Sequence, residues 1–195
     1  GAAGQRCLAG SVCALVGERA AQDAARERIV EAARGFDVPP LISPAARERV
    51  EREIAAAEAE GAEVVCDGRA QAEGARLGAT VLDGVDPEGR AAREELFGPV
   101  LALVRVPDLD AALRFVNGSR YGNASMIFTR SGAAAREFRV RVEAGMVGVN
   151  IGVAAPVAWF PFAGWKDSFE GDLHANGRDA VAFYTRTKVV TSRWP

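Results

Sequence analysis

Histidine and cysteine are scarce in this sequence of 195 residues, and each scarcity excludes a class of function. Three cysteines are too few, and odd in number, for a disulfide framework, so we expect a reducing, cytoplasmic location. His174 is the only histidine and has no second histidine or cysteine at ligand spacing, so no metal site is predicted. The net charge of −2 gives no electrostatic reason to expect a nucleic acid partner.

Long apolar runs and nucleotide-binding patterns are missing as well. No stretch approaches the roughly 20 apolar residues that cross a bilayer, so we expect no membrane partner. The opening residues carry no signal-peptide pattern, which again favours the cytoplasm. Neither G-x-G-x-x-G nor G-x-x-x-x-G-K-[ST] occurs, so the chain encodes no self-contained nucleotide site.

The sequence does contain an alternation of short apolar runs with longer amphipathic segments. Apolar residues make up 49% and charged residues 26%, which are ordinary values for a globular domain. Parallel strands need long crossovers, so the alternation predicts an α/β fold whose mostly parallel sheet carries helices on both faces. The predicted strands are residues 12–16, 62–66, 79–82, 99–106, 125–128 and 146–150, and the predicted helices are residues 20–34, 44–60, 109–117 and 133–144.

The alternation stops near residue 150, and the last 45 residues have a different character. Residues 155–172 are rich in proline, glycine and aromatic side chains without a helical or strand period, which predicts a structured loop. Residues 187–194 alternate well enough to predict a strand. An uncovered strand edge favours aggregation, so we expect a partner subunit to cover it and the protein to form a homo-oligomer.

Cys7 is the first candidate for chemistry. It follows Gly4-Gln5-Arg6 just before a predicted strand, and we expect it at the sheet edge where parallel α/β folds bind ligands. The charge of Arg6 and free backbone N–H groups would favour the thiolate, which is the attacking form. The alternative is a cysteine that nothing activates, because no base is visible nearby. Cys13 and Cys66 lie in apolar strands and are predicted core residues.

The second candidate is the segment Glu94-Glu95-Leu96-Phe97-Gly98-Pro99, which comes immediately before a buried strand. A carboxylate held rigidly there could accept hydrogen bonds from a pair of ribose hydroxyls while the aromatic ring stacks beside it. The alternative is an ordinary charged turn ahead of a strand. We expect this segment at the same ligand-binding edge as Cys7, the edge formed by the carboxyl ends of the strands.

These segments, together with the tail, resemble the aldehyde dehydrogenase superfamily over the whole chain. The closest likeness is to the CoA-acylating, methylmalonate-semialdehyde dehydrogenase branch. GAAGQRC is similar to the nucleophile motif of the family, and EELFGP is similar to its cofactor-facing segment. The matches to that branch in particular are GMVGVN at residues 145–150, PFAGWKDSFEGD at 161–172 and FYTRTKVVTSRW at 183–194.

The resemblance implies an NAD-dependent oxidation in which Cys7 attacks an aldehyde and passes an acyl group to coenzyme A, giving propionyl-CoA or acetyl-CoA. It implies that Glu95 holds the nicotinamide ribose and that Phe97 packs beside it. Residues 1–150 would form the catalytic domain, and residues 151–195 a loop and an oligomerisation strand. In the family an NAD-binding domain precedes the nucleophile motif, so that domain is the expected cognate partner.

Two other functions stay open at the level of sequence. Asp167, Glu170 and Ala163 depart from the family pattern, and the connection at residues 36–42 is short. A truncated, inactive relative that serves as an oligomerisation or interaction module would fit these departures. A thiol acyltransferase that uses Cys7 without NAD is the third reading.

Overall fold

A computed structural model describes residues 2–195 and confirms the α/β fold class. The strands and helices predicted between residues 12 and 150 all form, with ends that differ by up to three residues. In chain order the strands are β1 Val12–Val16, β2 Glu63–Cys66, β3 Thr80–Asp83, β4 Val100–Val106, β5 Tyr121–Gly122, β6 Ala124–Ile127, β7 Met146–Val149 and β8 Trp165–Lys166. The helices are α1 Arg19–Arg34, α2 Pro44–Ala59, α3 Arg90–Arg93, α4 Leu109–Asn117, α5 Gly132–Arg141 and α6 Gly177–Tyr184.

The main sheet has four strands in the order β1-β4-β3-β2. Its first three strands run parallel, as predicted, and only the edge strand β2 is antiparallel. Two small sheets accompany it, a parallel pair of β6 with β7 and an antiparallel pair of β5 with β8. Long connections make the parallel pairs possible: α3 lies between β3 and β4, and α5 lies between β6 and β7.

Local side-chain caps explain why α2 and α4 begin where the sequence predicts. The Ser43 hydroxyl accepts a hydrogen bond from the Ala46 N–H at 3.1 Å, and Pro44 occupies the first turn of α2, where its missing N–H leaves no bond unmade. The Asp108 carboxylate accepts from the Ala111 N–H at 2.7 Å at the start of α4. Caps of this kind each contribute about 1 kcal/mol to stability.

The core lies on both faces of the main sheet, with β4 at its centre. On one face α2 presents Val50 and Ile54, which are completely buried against the sheet. On the other face, Val30 of α1 packs against Leu103 and Val81 of the sheet. The prediction of helices on both faces is therefore confirmed, and the sheet is fixed firmly enough to position the loops at its ends.

The C-terminal region differs most from the sequence prediction. Within residues 2–195 no strand forms at 187–194, because no other strand edge in the chain lies beside it. Val189 and Trp194 are each 86% exposed there. Helix α6, which no sequence signal predicted, precedes this segment. The strand and the division of the chain at residue 150 stay predictions.

The length and polarity of the helices bear on the membrane prediction. Among the described residues, every helix is too short or too polar to cross a lipid bilayer.

Candidate active site

The segments that carry the candidate residues meet at one end of the main sheet. Cys7 comes just before β1, and the segment 94–99 leads into β4, the parallel neighbour of β1. Both therefore lie at the amino ends of the strands. The expected position at the carboxyl ends is wrong. Both segments precede their strands and so enter the sheet at its amino edge, whereas side chains cover the strand ends at the carboxyl edge.

Gln22 closes that carboxyl edge from α1. Its buried amide nitrogen lies within hydrogen-bonding distance of three carbonyl oxygens at the strand ends, those of Leu15, Gly17 and Val106, at 3.0, 2.8 and 2.9 Å. These bonds satisfy backbone acceptors that a ligand would otherwise contact.

A network of charges lies beside Gln22 at the same edge. The nearly buried Asp83 accepts from Arg105 at 2.7 Å and lies 2.8 Å from the Arg26 guanidinium, while Arg105 also pairs with Asp23 at 2.7 Å. Burial alone would raise the pKa of Asp83, but the hydrogen bonds from Arg105 and the Gly84 N–H outweigh it and the pKa lies below its usual value. The charged side chains at the carboxyl edge therefore pair with one another and stabilise the fold.

At the opposite edge, Cys7 lies in a tight turn. The Ala9 N–H donates to the Arg6 carbonyl at 2.9 Å, which closes a four-residue turn with Cys7 in its second position. Leu8 is buried beneath the turn and Cys7 is exposed above it. The Cys7 N–H donates to no acceptor within residues 2–195.

Gly4 joins this turn to the 94–99 segment. A Cβ on Gly4 would lie 2.0 Å from the Gly98 carbonyl oxygen and 3.3 Å from the Pro99 nitrogen, so the two backbones touch. Gly4 also has φ +75°, a conformation that favours glycine. The contact brings the loop of the predicted nucleophile against the predicted cofactor segment.

Helix α2 holds the other side of the 94–99 segment. The Arg49 guanidinium donates to the carbonyl of Leu96 at 2.7 Å and to that of Phe97 at 3.4 Å. Leu96 is buried and anchors the segment, while Phe97 takes a left-handed conformation with φ +50° and is 38% exposed. Glu95 is also exposed. Both predicted cofactor residues therefore face outward from a segment that is fixed on two sides.

The remaining cysteines and the histidine lie elsewhere. Burial raises the pKa of the Cys13 and Cys66 thiols, and both pack into the core on the α1 face, which agrees with their predicted role. His174 stacks on Phe169 with ring centres 4.2 Å apart and pairs with Asp179 at 3.1 Å. Within residues 2–195 no group of three or more His, Cys, Asp or Glu side chains could hold a metal ion.

Two residues of this site were missed at the level of sequence. Arg49 holds the cofactor segment, and the Asn123 side-chain amide donates to the Cys7 carbonyl at 2.8 Å. Their partners lie 47 and 116 residues away in the chain, and no local pattern signals such contacts.

Comparison with known proteins decides the family. Residues 1–190 match the aldehyde dehydrogenase family. The chain belongs to that family. This agrees with the sequence resemblance and with the fold.

Relatives of known name point within the family to semialdehydes. The chain is 46% identical over 207 residues to malonate-semialdehyde dehydrogenase 1 of Geobacillus kaustophilus, covering 100% of this chain and 42% of that protein. A structure from Oceanimonas doudoroffii, a methylmalonate-semialdehyde dehydrogenase, is 42% identical with a TM-score of 0.94. A Sinorhizobium meliloti protein assigned the same activity and solved with NAD is 37% identical, with a TM-score of 0.96. Each of these two matches includes all of this chain and 43% of the other protein's chain.

Proposed function

We propose that this chain carries the catalytic portion of an NAD-dependent, CoA-acylating dehydrogenase for malonate semialdehyde or methylmalonate semialdehyde. One observation carries the proposal. The exposed Cys7 turn is packed, through Gly4, against the outward-facing segment that holds Glu95 and Phe97. The chain spans less than half the length of its named relatives, so the proposed reaction needs further polypeptide, including an NAD-binding domain as its partner.

Cys7 supplies the nucleophile. Its thiolate attacks the aldehyde carbon, the carbonyl π electrons move to oxygen, and a tetrahedral hemithioacetal forms on the sulfur. In this proposal the Cys7 N–H, which donates to no acceptor within residues 2–195, donates to the oxyanion that develops. Collapse of the oxyanion expels hydride from the same carbon, and an acyl thioester stays on Cys7.

The residues of the 94–99 segment fit the nicotinamide end of NAD, which accepts the hydride when it is bound. The exposed Glu95 carboxylate can only accept hydrogen bonds, and paired ribose hydroxyls are donors of that kind. The half-exposed ring of Phe97 offers a flat apolar surface beside them. Fixing this segment against the Cys7 turn keeps hydride donor and acceptor close, which supplies much of the rate.

Coenzyme A is the proposed acyl acceptor. Its thiolate attacks the Cys7 thioester, the Cys7 sulfur leaves as thiolate, and the acyl group becomes a CoA thioester. When the substrate carboxylate leaves as carbon dioxide, its bonding electrons stay on the α carbon as an enolate, which takes up a proton from water. The product is acetyl-CoA from malonate semialdehyde and propionyl-CoA from methylmalonate semialdehyde. The names of the relatives support this substrate class.

We also propose a homo-oligomer formed through residues 187–194, in the cytoplasm. Val189, Val190 and Trp194 are all more than three-quarters exposed, and a neighbouring strand would cover them. The same exposed segment favours the second candidate function, an inactive relative that acts as an oligomerisation or interaction module.

The test is reconstitution with the part of a relative that this chain does not match. The chain is co-expressed with the part of the Geobacillus kaustophilus relative that it does not match, and NADH formation is measured with each semialdehyde, with and without coenzyme A. We expect NADH and acyl-CoA, loss of both in Cys7→Ser, and retention in Cys13→Ser. The chain alone should form no NADH. A folded complex that is inactive, or activity that survives Cys7→Ser, would favour the interaction module.

A further inference from the structure

Within residues 2–195, the hydrogen bond between Asn123 and Cys7 is the only one that joins the Cys7 turn to the small β6–β7 sheet. The Asn123 side-chain nitrogen donates to the main-chain carbonyl of Cys7 at 2.8 Å. Asn123 stands immediately before β6, so the bond links the turn to the small β6–β7 sheet. It fixes an oxygen that belongs to the candidate nucleophile itself.

The donor stands on a rigid base. The Asn123 carbonyl accepts from the Met146 N–H at 3.0 Å, and the Gly122 carbonyl accepts from the Gly145 N–H at 2.8 Å. The Gly122 N–H in turn donates to the Ser168 hydroxyl at 3.2 Å. Main-chain bonds on both sides of Asn123 therefore hold its backbone in place, and its side chain acts from a fixed origin.

We propose that Asn123 is a positioning residue that sets the orientation of the Cys7 turn. The inference rests on the proposed function insofar as Cys7 is the nucleophile. Holding the Cys7 carbonyl fixes the plane of the peptide bond between Cys7 and Leu8, and the buried Leu8 fixes the far side of that bond. Between them they limit rotation of the Cys7 backbone, and so the directions of its thiol and its free N–H.

The chemistry of the side chain suits this task. An amide keeps its N–H donors at every pH at which the protein is folded, whereas an ionised carboxylate only accepts and would repel the Cys7 carbonyl. An apolar side chain would leave that carbonyl without its partner. Asn123→Asp is therefore nearly isosteric; it removes the donor and adds a negative charge facing the Cys7 carbonyl, whereas Asn123→Ser shortens the side chain without adding charge.

Hydrogen exchange tests the positioning directly in the 195-residue chain. The Ala9 N–H reports the Cys7 turn, because it closes that turn, and the Met146 N–H reports the strand pair, because it binds the Asn123 carbonyl. In Asn123→Asp we expect the Ala9 amide to exchange about fivefold faster, the change that loss of one ordinary hydrogen bond produces, with Met146 unchanged. Asn123→Ser is the second variant should Asn123→Asp fold poorly.

The matched control is Asn150→Asp. Asn150 stands at the other end of β7, and its amide binds the main chain of Thr129 in the same manner. The Asn150→Asp variant should leave the exchange rate of the Ala9 amide unchanged. Unchanged Ala9 exchange in both Asn123 variants would overturn the proposal, as would an equal rise at Ala9 and Met146, which would show a general loosening.

Turnover in the co-expressed complex gives the functional readout. We expect Asn123→Asp to lower kcat about tenfold while KM for the aldehyde stays within about twofold, because the contact orients the reacting group and touches no substrate. Faster Ala9 exchange with an unchanged kcat would overturn the catalytic part of the proposal. A complex that is inactive even with Asn123 in place would refute the proposed function, while the exchange result would still decide the positioning of the turn.

Discussion

The backbones of Gly4 and Gly98 are in contact, and this contact brings the Cys7 turn against the 94–99 segment. The position of a Cβ on Gly4 falls 2.0 Å from the Gly98 carbonyl oxygen, and one on Gly98 falls 2.6 Å from Val50 Cγ2. Three layers are thus stacked without room for a methyl group at either junction: the Cys7 turn, the cofactor segment and helix α2.

Gly4→Ala should force the Cys7 turn away from the cofactor segment. The new methyl group overlaps a backbone oxygen, and φ +75° is strained for alanine, so we expect a loss of about 2–4 kcal/mol in the free energy of unfolding. Urea denaturation measures it. Gly152→Ala is the control, because nothing lies within 4 Å of its Cβ position, and it should change stability by less than about 0.5 kcal/mol. Equal stability of the two variants would contradict the packing described above.

Arg49→Met should loosen the 94–99 segment without disturbing the core. Methionine keeps the apolar stem but cannot donate to the Leu96 and Phe97 carbonyls, so we expect a loss of about 1 kcal/mol in unfolding free energy. In the co-expressed complex we expect a higher KM for NAD. Arg52→Met on the exposed side of α2 serves as the control. An Arg49→Met complex with the native KM for NAD would show that the segment needs no such support.

Stability should fall in acid through Asp83. Its pKa is lowered in the folded state, so its contribution is fully present above the pKa of the unfolded chain, near 3.8, and is lost as the pH falls through the lower folded value. Asp83→Asn removes this contribution. Comparing unfolding free energies at pH 7 and in acid, we expect the deficit of the variant to shrink as the pH drops. A deficit that is the same at every pH would mean that the charge of Asp83 does not matter.

Alkylation should distinguish the three thiols. Cys7 is exposed, while burial raises the pKa of Cys13 and Cys66 and so lowers their thiolate fraction. With limiting iodoacetamide near pH 8, peptide mass mapping should find Cys7 modified at least about tenfold faster than either of the others. Modification of Cys66 at the rate of Cys7 would show that the α1 face of the sheet opens readily.

Local signals explain what the sequence predicted correctly. The bounds of α4 coincide with the prediction because Asp108 caps its start and Gly118 ends it. The continuous apolar run in β4 predicted a strand buried on both faces, and the structure has it at the centre of the sheet. In each case the deciding residues lie within a few positions of the element.

What the sequence could not predict depends on contacts between distant residues. The sheet edge of Cys7 and the 94–99 segment was predicted wrongly, although both precede their strands in the sequence and so enter the sheet at its amino end. The bond from Gln22 to Val106, 84 residues away, is visible only in the folded chain. Asn123 gave no sign of its contact with Cys7 for the same reason. A strand at 187–194 needs a neighbouring strand to pair with, and none pairs with it within residues 2–195, so the strand stays a prediction.

The closure of the carboxyl edge by Gln22 also has a practical use. Glu18 and Arg19 are exposed at the start of α1, at the end of β1 remote from Cys7, beside strand ends whose carbonyls are already bonded. A fluorophore or an affinity tag attached there would sit away from the reacting thiol, and so could report on assembly with a second polypeptide while leaving the chemistry unobstructed.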